Sequence, residues 1–418
     1  MIPRTIAFAL LLTVPALAGD WPQWRGPLRT GHVPAGEAVP STLPADPNVI
    51  WQVPVGDGFA SPVVAGGRVF HLENENAKEV ARAFDAATGK EIWKKTIFSS
   101  HRDGFGIGPR TTPVVDGERL FVQSAKGEFQ CLNVADGALI WRTNFVEDFG
   151  AVYTGEKGKA AGASRHGATG SPIIDGENII VQVGSEKGAS VVAFRKSDGQ
   201  VVWKSQDDQT AYAAPYIAEL AGRRQLLVFT VGALIALAPE DGKLLWRVPM
   251  ETALGRHVTT PTVWKDVAMV GSHQIGMAGV RVEQAGDKLT AKEIWRNKDG
   301  AMNFTSPVVV GDHAYGIGPS KNVICIAAAT GEIVWEKTGI IQSSPDRAVG
   351  AFIVMGANIL LLTDTGELVL FAADPKAYRE IGRTQVSGKT WCNPAYADGR
   401  LYLRDERQLR CVELVAQP

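Results

Sequence analysis

Residues Ala83–Trp93 read Ala-Phe-Asp-Ala-Ala-Thr-Gly-Lys-Glu-Ile-Trp, which is the pattern of one β-hairpin. Asp85 ends a strand, and Thr88 and Gly89 form a tight turn in which glycine adopts a positive φ without steric cost. Trp93 lies on the strand that follows. Four further segments repeat the pattern, each with a tryptophan four positions after the turn glycine: Asn133–Trp141, Ser197–Trp203, Glu240–Trp246 and Ala329–Trp335. This regularity predicts a repeat protein.

A second marker gives the number of repeats. Each repeat begins with a small residue, a proline and a short apolar run: Ser61–Val64, Thr112–Val115, Ser171–Ile174, Ala214–Ile217, Thr260–Val263, Ser306–Val309 and Asn393–Tyr396. Gly350–Ile353 occupies the equivalent place without the proline, which makes eight starts. Successive starts are 43 to 59 residues apart, the length of a four-stranded propeller blade. We therefore predict eight blades, with seven as the alternative count.

The two ends of the chain complement each other. Asn48–Val53 contains Trp51 on a strand that has no turn before it, whereas Gly399–Arg404 and Gln408–Leu414 read as two strands that have no successor. Pairing the N-terminal strand with the last one completes the final blade and removes an open sheet edge. The prediction is an all-β, closed, eight-bladed propeller of four-stranded antiparallel blades over residues 49–418. Seven tryptophans are expected to dock between its blades: Trp51, Trp93, Trp141, Trp203, Trp246, Trp295 and Trp335.

Residues 1–18 have the pattern of a signal peptide. Arg4 precedes an apolar run from Ile6 to Val14, and Ala16-Leu17-Ala18 is the small-x-small motif of a cleavage site. A buried N-terminal strand is the alternative. Cleavage after Ala18 predicts a periplasmic or secreted protein, and no cysteine stands at the cleavage site to carry a lipid anchor. No later stretch is long and apolar enough for a transmembrane helix.

Charge and cysteine content narrow the partners and the chemistry. The formal net charge of −1 gives no electrostatic case for binding nucleic acid. The 45 glycines and 23 prolines suit many short strands joined by tight turns, so we treat the chain as one β-rich body. No two cysteines are adjacent in sequence, and we expect four buried free thiols: Cys131, Cys325, Cys392 and Cys411.

Residues 19–48 precede the first repeat and are expected to form a strap and a linker. Trp21–Pro27 reads Trp-Pro-Gln-Trp-Arg-Gly-Pro, which is too irregular for a strand and too aromatic for a disordered tail. We expect it to pack against the propeller, with a role in ligand binding as the alternative. Thr30–Asn48 is rich in proline, glycine and alanine, which is typical of a linker.

The channel mouth is the predicted binding site. The residues just before each inner strand should surround it: Phe59, Arg110, Thr169, Tyr212, His257, Asn303, Arg347 and Trp391. The long loop before the third blade adds Arg165 and His166, and Arg256 precedes His257. The alternative interpretation of these Arg-His pairs is that they anchor their loops. The seven histidines show no metal-ligand spacing, so no metal site is predicted. Gly104–Gly108 resembles a phosphate loop but opens no helix.

The segment Ala83–Trp93 resembles the tryptophan-docking motif of the pyrroloquinoline-quinone-like eight-bladed propellers. This superfamily includes quinoprotein alcohol dehydrogenases and the propeller subunit of the outer-membrane β-barrel assembly machinery. For the dehydrogenases, the resemblance implies a quinone held between a tryptophan and a disulfide of neighbouring cysteines, a calcium ion and an aspartate base. This sequence has neither a Cys-Cys pair nor a Cys-x-x-Cys-His haem motif.

We therefore expect a non-catalytic, exported scaffold without a cofactor, which binds an envelope protein or a small ligand at the channel mouth and is a monomer. One alternative is a periplasmic alcohol or sugar dehydrogenase that uses pyrroloquinoline quinone with calcium. Another is a cell-surface polysaccharide-binding module. The repeat itself does not decide between them, because this kind of fold carries many functions.

Overall fold

The computed structural model describes residues 19–152 and 166–415. The predicted signal peptide lies outside the described residues. The described strands form eight four-stranded antiparallel sheets, which confirms the predicted eight-bladed all-β propeller and excludes the seven-blade count. None of the described helices has the length and apolar character needed to cross a bilayer.

Four consecutive strands form each of the first seven blades, running from the channel outward. The first blade contains β2 (Val63–Ala65), β3 (Arg68–Glu75), β4 (Lys78–Asp85) and β5 (Glu91–Ser99). The second contains β6 (Val114–Asp116), β7 (Arg119–Gln123), β8 (Glu128–Asn133) and β9 (Leu139–Asn144). The third contains β10 (Ile173–Asp175), β11 (Asn178–Ser185), β12 (Ala189–Arg195) and β13 (Val201–Ser205). The fourth contains β14 (Tyr216–Leu220), β15 (Arg223–Phe229), β16 (Ala233–Leu237) and β17 (Leu244–Pro249).

The remaining blades continue this order. The fifth contains β18 (Thr262–Trp264), β19 (Val267–Ser272), β20 (Gly276–Ala285) and β21 (Lys288–Asn297). The sixth contains β22 (Val308–Val310), β23 (His313–Ile317), β24 (Val323–Ala327) and β25 (Ile333–Lys337). The seventh contains β26 (Gly350–Met355), β27 (Asn358–Thr363), β28 (Glu367–Ala372) and β29 (Glu380–Gln385). The described helical turns are α1 (Phe145–Phe149) and a 3₁₀ turn at Pro345–Arg347.

The eighth blade joins the two ends of the chain. It contains β30 (Ala395–Ala397), β31 (Arg400–Arg404), β32 (Gln408–Glu413) and, as its outer strand, β1 (Val49–Pro54). Trp51 lies opposite Cys411, and Pro54 lies opposite Gln408. The N-terminal strand thus completes the last blade as predicted, and the ring is closed.

The docking tryptophans, with the exception of Trp246, link their own blade to the next one through a hydrogen bond. Six of the seven indole nitrogens donate a hydrogen bond to a backbone carbonyl of the following blade; Trp51, for example, donates to Ala86 at 2.9 Å. Five of these rings cover a turn glycine so closely that a Cβ on that glycine would lie only 2.3–2.8 Å from the ring. This contact explains why glycine and tryptophan recur together in the sequence.

The seventh blade has no docking tryptophan. Gly382, which pairs with Leu370, occupies the position that tryptophan takes in the other blades. The eighth blade lacks the hairpin turn that would receive an indole, because its outer strand comes from the other end of the chain. Leu43 of the N-terminal segment lies against Gly382 instead and joins the hydrophobic core between these blades.

The small residue before each proline also has a structural role. Its hydroxyl accepts a backbone N–H from the preceding blade at three places, all at 2.9 Å: Ser61 from Asn393, Ser171 from Thr112 and Ser306 from Thr260. These bonds lie beside the channel and complement the tryptophan contacts near the rim. The two recurrent sequence markers therefore hold adjacent blades together at the inner and outer ends of the sheets.

Residues 19–48 lie against the propeller at the end where the inner strands finish. Trp21 forms an antiparallel bridge with Val64, and His32 forms a parallel bridge with Val354. The intervening residues enter the channel, so this segment crosses its base. All four cysteines are buried and free, as the sequence predicted.

Candidate functional site

The opposite end of the channel opens into a cavity. Because the strands of each blade alternate in direction, the loops that connect one blade to the next all meet at this end. They enclose a cavity of about 190 Å³. Seven side chains predicted from the sequence line it: Phe59, Arg110, His166, Thr169, Tyr212, Arg256 and Trp391.

The N-terminal segment forms the floor of the cavity. Trp24 lines it, and its indole nitrogen donates a hydrogen bond to Thr260 Oγ1 at 3.2 Å. Two buried arginines follow: Arg25 donates to the Pro307 carbonyl at 2.5 Å, and Arg29 donates to the Ser171 carbonyl at 3.1 Å. Burial lowers the guanidinium pKa values to about 10 for Arg25 and about 9 for Arg29. The channel carbonyls hold these cations, and the cavity is closed at its base.

An aromatic cluster forms one wall. Trp391, from the loop before β30, lies 5.9 Å from Phe59, 5.5 Å from Phe105 and 6.0 Å from Phe304, measured between ring centroids. The ring planes are tilted by 42–55°, as is common for packed aromatic side chains. This wall offers an apolar surface to a ligand.

A polar cluster stands beside the aromatic wall. Asp103 Oδ2 accepts a hydrogen bond from His166 Nδ1 at 2.6 Å and lies 2.8 Å from Arg110 Nη2. Its other oxygen accepts the Phe105 backbone N–H at 2.8 Å. Burial alone would raise the pKa of Asp103, but the bond from His166, the charge of Arg110 and the Phe105 N–H hold that pKa below its ordinary value. Asp103 is therefore an ionised anchor for its own loop.

The cavity is cationic as well as aromatic. The Arg110 guanidinium lies 4.6 Å from the centroid of the Phe59 ring, and its pKa is lowered by burial, an effect that Asp103 opposes. Arg256 Nε is buried without a hydrogen-bond partner. No carboxylate is among the described residues that line the cavity. Such a lining suits an apolar group next to a negative charge.

Three residues of the predicted ring do not line the cavity: His257, Asn303 and Arg347. His257 is fully buried, stacks on Phe229 with centroids 4.1 Å apart, and pairs through Nδ1 with the Thr230 carbonyl at 2.6 Å. Burial lowers its pKa to about 4. These contacts agree with the alternative interpretation, in which His257 anchors its loop. Asn303 does not line the cavity, and its neighbour Phe304 does. Arg165 lies outside the described residues.

Arg347 lies in an adjoining groove rather than in the cavity. The groove has a volume of about 330 Å³ and shares the side chains of Phe59, Phe105 and Trp391 with the cavity. Arg347 lies 5.6 Å from the Phe105 ring centroid. Lys389 also lines the groove and is exposed. The mouth thus consists of a cavity and an adjoining groove that share one aromatic wall.

Sequence reasoning missed several lining residues. Phe105 lies in the long loop before the second blade, and Phe304 is one position from a predicted residue, so both had a partial signal. Trp24 belongs to the segment for which packing against the propeller is the main expectation and ligand binding the alternative, and the structure places it in the cavity lining. Most of the serines and threonines before the inner strands, such as Thr260, also line the cavity, although their sequence signal is that of a repeat marker.

The lining does not fit the calcium–quinone site that the resemblance implies for the dehydrogenases. All four cysteines are free, so no disulfide covers one face of a planar ligand. In residues 19–152 and 166–415, no three His, Cys, Asp or Glu side chains are arranged to hold a metal ion. The arrangement can bind and orient a ligand through aromatic contact and positive charge.

Comparison with known proteins agrees with this architecture. The BamB protein of Yersinia pestis, an outer membrane protein assembly factor, is 26% identical over 298 residues, which are 68% of each chain. BamB of Escherichia coli K12 is 20% identical over 381 residues, or 86% of each chain. The crystal structure of Moraxella catarrhalis BamB superposes with a TM-score of 0.59 at 15% identity, covering 88% of this chain and all of that one.

A quinohemoprotein alcohol dehydrogenase from Pseudomonas putida HK5 shares the fold, with a TM-score of 0.52 at 13% identity over 96% of this chain and 81% of that one. The family profile described as outer membrane protein assembly factor BamB matches residues 77–337, from the first blade to the end of the sixth. That match covers more than half of the sequence. The chain therefore belongs to the BamB family of propeller proteins.

Proposed function

We propose that this protein is an exported, non-catalytic scaffold in outer-membrane protein assembly that binds a partner protein at the channel mouth. The observation that carries the proposal is the family match over residues 77–337. Its relatives from Yersinia pestis and Escherichia coli are named for outer membrane protein assembly. Export rests on the signal peptide pattern of residues 1–18.

The chemistry of the mouth supports binding rather than catalysis. The one acidic side chain of the polar cluster, Asp103, is saturated by its own loop and by Arg110 and His166. The cavity presents no carboxylate among its described lining residues that could act as a general base. Aromatic and arginine side chains are the groups that most often anchor protein interfaces. We propose that the protein acts as a monomer, since one ring presents a complete mouth.

The proposal can be tested by site-specific photocrosslinking in the bacterium that produces the protein. A photoreactive phenylalanine analogue replaces Arg347 at the mouth in the full chain with its signal peptide. The matched control replaces Arg223, the exposed first residue of β15, which lies at the opposite end of the propeller. We expect outer-membrane assembly proteins, identified by mass spectrometry, to crosslink at position 347 and not at position 223.

Two results would contradict this function. One is the absence of outer-membrane assembly proteins among the products from position 347, or their equal yield from position 223. The other is enzymatic activity: purified protein mixed with pyrroloquinoline quinone and calcium should show no dye reduction by alcohols or sugars. Dye reduction that requires the quinone would replace the scaffold by the dehydrogenase. A glycan that raises the melting temperature would instead support the polysaccharide-binding alternative.

A further inference from the structure

The cavity and the groove form one elongated site. Both are lined by Phe59, Phe105 and Trp391, together with Thr390 and Cys392. The cavity ends at Trp24, whereas the groove continues between the 3₁₀ turn and the loop between β31 and β32. A ligand that fills both parts must therefore have a compact end and an extended body.

The cavity suits an aromatic ring. Trp391, Phe59 and Phe304 provide apolar ring contacts, and Trp24 lies at the bottom. Val258 faces the same space from the loop before the fifth blade. Aromatic side chains prefer such tilted or offset contacts with other rings, and their burial in a formed pocket contributes much of the affinity at interfaces.

The groove carries positive charge that is exposed to solvent. Arg347 and Lys389 are exposed in the groove, and Glu406 is its exposed carboxylate. The other carboxylate, Asp405, is engaged: it lies 2.7 Å from Arg410 Nη1 and accepts three backbone N–H groups. With Arg110 paired to Asp103, and Arg256 facing the cavity, the groups left for a ligand have a net positive charge.

We propose that the mouth binds an extended peptide segment in which an aromatic side chain enters the cavity and adjacent acidic side chains contact Arg347 and Lys389. The source of this peptide, a partner protein, rests on the proposed function. The fit of the site to such a peptide in shape and charge is independent of that function. A free aromatic acid would fill the cavity but leave the groove open. Because the lining continues from the cavity into the groove, the site favours a peptide over a small molecule.

The direct test is calorimetric titration of the purified mature protein with short capped peptides. The reference peptide is Ser-Asp-Phe-Asp-Ser. Replacing its phenylalanine by alanine should weaken binding about tenfold to a hundredfold, because the buried ring is lost. Replacing both aspartates by lysine should weaken it further than replacing them by serine. Raising the salt concentration should weaken the aspartate peptide and leave the serine peptide nearly unchanged.

Protein variants separate the two parts of the site. Val258→Phe fills the cavity and should remove the preference for phenylalanine over alanine in the peptide. Arg347→Glu should weaken the aspartate peptide about threefold to tenfold, whereas Arg223→Glu at the opposite end of the propeller should not change its affinity. Lys389→Glu has its matched control in Lys288→Glu, at the exposed β20–β21 hairpin. Unfolding midpoints of all variants show whether the ring is intact.

Three outcomes would overturn the inference: equal binding of the phenylalanine and alanine peptides, equal effects of Arg347→Glu and Arg223→Glu, or phenylacetate binding as tightly as the reference peptide. The last result would identify a small-molecule site. Failure of the peptides while crosslinks at position 347 persist would remove the peptide inference and leave the scaffold function standing. Peptide binding without any crosslink to an assembly protein would support the site and contradict the proposed function.

Discussion

Replacing Gly89 by alanine tests the contact between blades at the point where the ring closes. Gly89 has a φ of +70°, and a Cβ placed on it would lie 2.6 Å from Cδ2 of Trp51. Gly67, in the first hairpin of the same blade, has a φ of +72° and no atom within 4 Å of an added Cβ. Gly67→Ala therefore introduces the same backbone strain without the steric clash.

The two substitutions should differ by several kcal/mol in the free energy of unfolding. An alanine in the left-handed region costs about 1 to 2 kcal/mol, and this is the whole effect expected for Gly67→Ala. Gly89→Ala must also displace the Trp51 indole, and overpacking of this kind costs about 1 to 3 kcal/mol. The hydrogen bond from Trp51 Nε1 to the Ala86 carbonyl contributes about 0.5 to 1.5 kcal/mol if it is lost. The expected total for Gly89→Ala is about 2 kcal/mol if the hydrogen bond survives and up to about 6.5 kcal/mol if it is lost.

Urea unfolding followed by tryptophan fluorescence and circular dichroism measures both free energies, provided that the two probes coincide. A double-mutant cycle with Trp51→Leu then assigns the clash. In that background, Gly89→Ala should cost no more than Gly67→Ala does in the natural chain. The reasoning is refuted if the two glycine substitutions are equally destabilising, or if the cost of Gly89→Ala is unchanged when Trp51 is absent.

Leu43→Ala should lower the free energy of unfolding by about 2 to 3 kcal/mol, because Leu43 fills the place of the missing tryptophan at Gly382. The control is Leu28→Ala on the same segment. The Leu28 side chain is 74% exposed, so this substitution should change the free energy by no more than about 0.5 kcal/mol in the same urea assay. Glu79 is buried, and burial raises its pKa to about 7, so the folded state retains a proton that the unfolded state has lost above pH 4.5. Stability should therefore fall by up to about 3 kcal/mol as the pH rises from about 4.5 to 7, and Glu79→Gln should remove that fall; an unchanged pH profile would contradict the assignment. Arg404→Met should lower the free energy of unfolding by about 3 kcal/mol, because it leaves the Gly56 carbonyl and His71 Nε2 without their donor. It should also make the N-terminal strand accessible to protease. A loss of stability below about 1 kcal/mol would show that Arg404 does not secure the ring closure.

The repeat made the fold predictable from sequence. The turn glycine and the tryptophan four positions later mark one hairpin, and the structure shows that the two residues touch across adjacent blades rather than within one. The unpaired Trp51 strand and the unpaired C-terminal strands predicted the closure, since a propeller with an open edge would expose unpaired backbone groups. These signals are local in sequence or lie at the chain ends, where they can be recognised without coordinates.

Two tryptophans show where the repeat pattern stops being informative. Trp246 donates to Gln225 Oε1 of its own blade at 2.5 Å, because the fifth blade has the long β20–β21 hairpin in place of the turn that receives the other indoles. Trp335 reaches the Asp374 carbonyl of a turn that has no glycine. The sequence identified both as docking residues, but the partner of each depends on the shape of the neighbouring hairpin.

The mouth was only partly predictable, because its loops have no common length or period. Taking the residue before each inner strand placed Phe59, Arg110 and Trp391 correctly on the cavity. The same rule failed at His257, whose ring turns inward, stacks on Phe229 and pairs with the Thr230 carbonyl. Burial lowers the pKa of His257, and the bond to the Thr230 carbonyl opposes that shift only in part. The residues on either side of His257, Arg256 and Val258, line the cavity instead.

Most of the residues that hold the ring together are different from the residues that line the mouth. The ring is held by glycine–tryptophan contacts and by hydroxyls before the inner strands, and none of these depends on the identity of Phe105, Arg347 or Lys389. A relative at 20–26% identity can keep the ring while its mouth presents a different charge or shape. Family membership therefore supports the architecture and the scaffold role, whereas the partner of this chain must be determined from its own aromatic cavity and cationic groove.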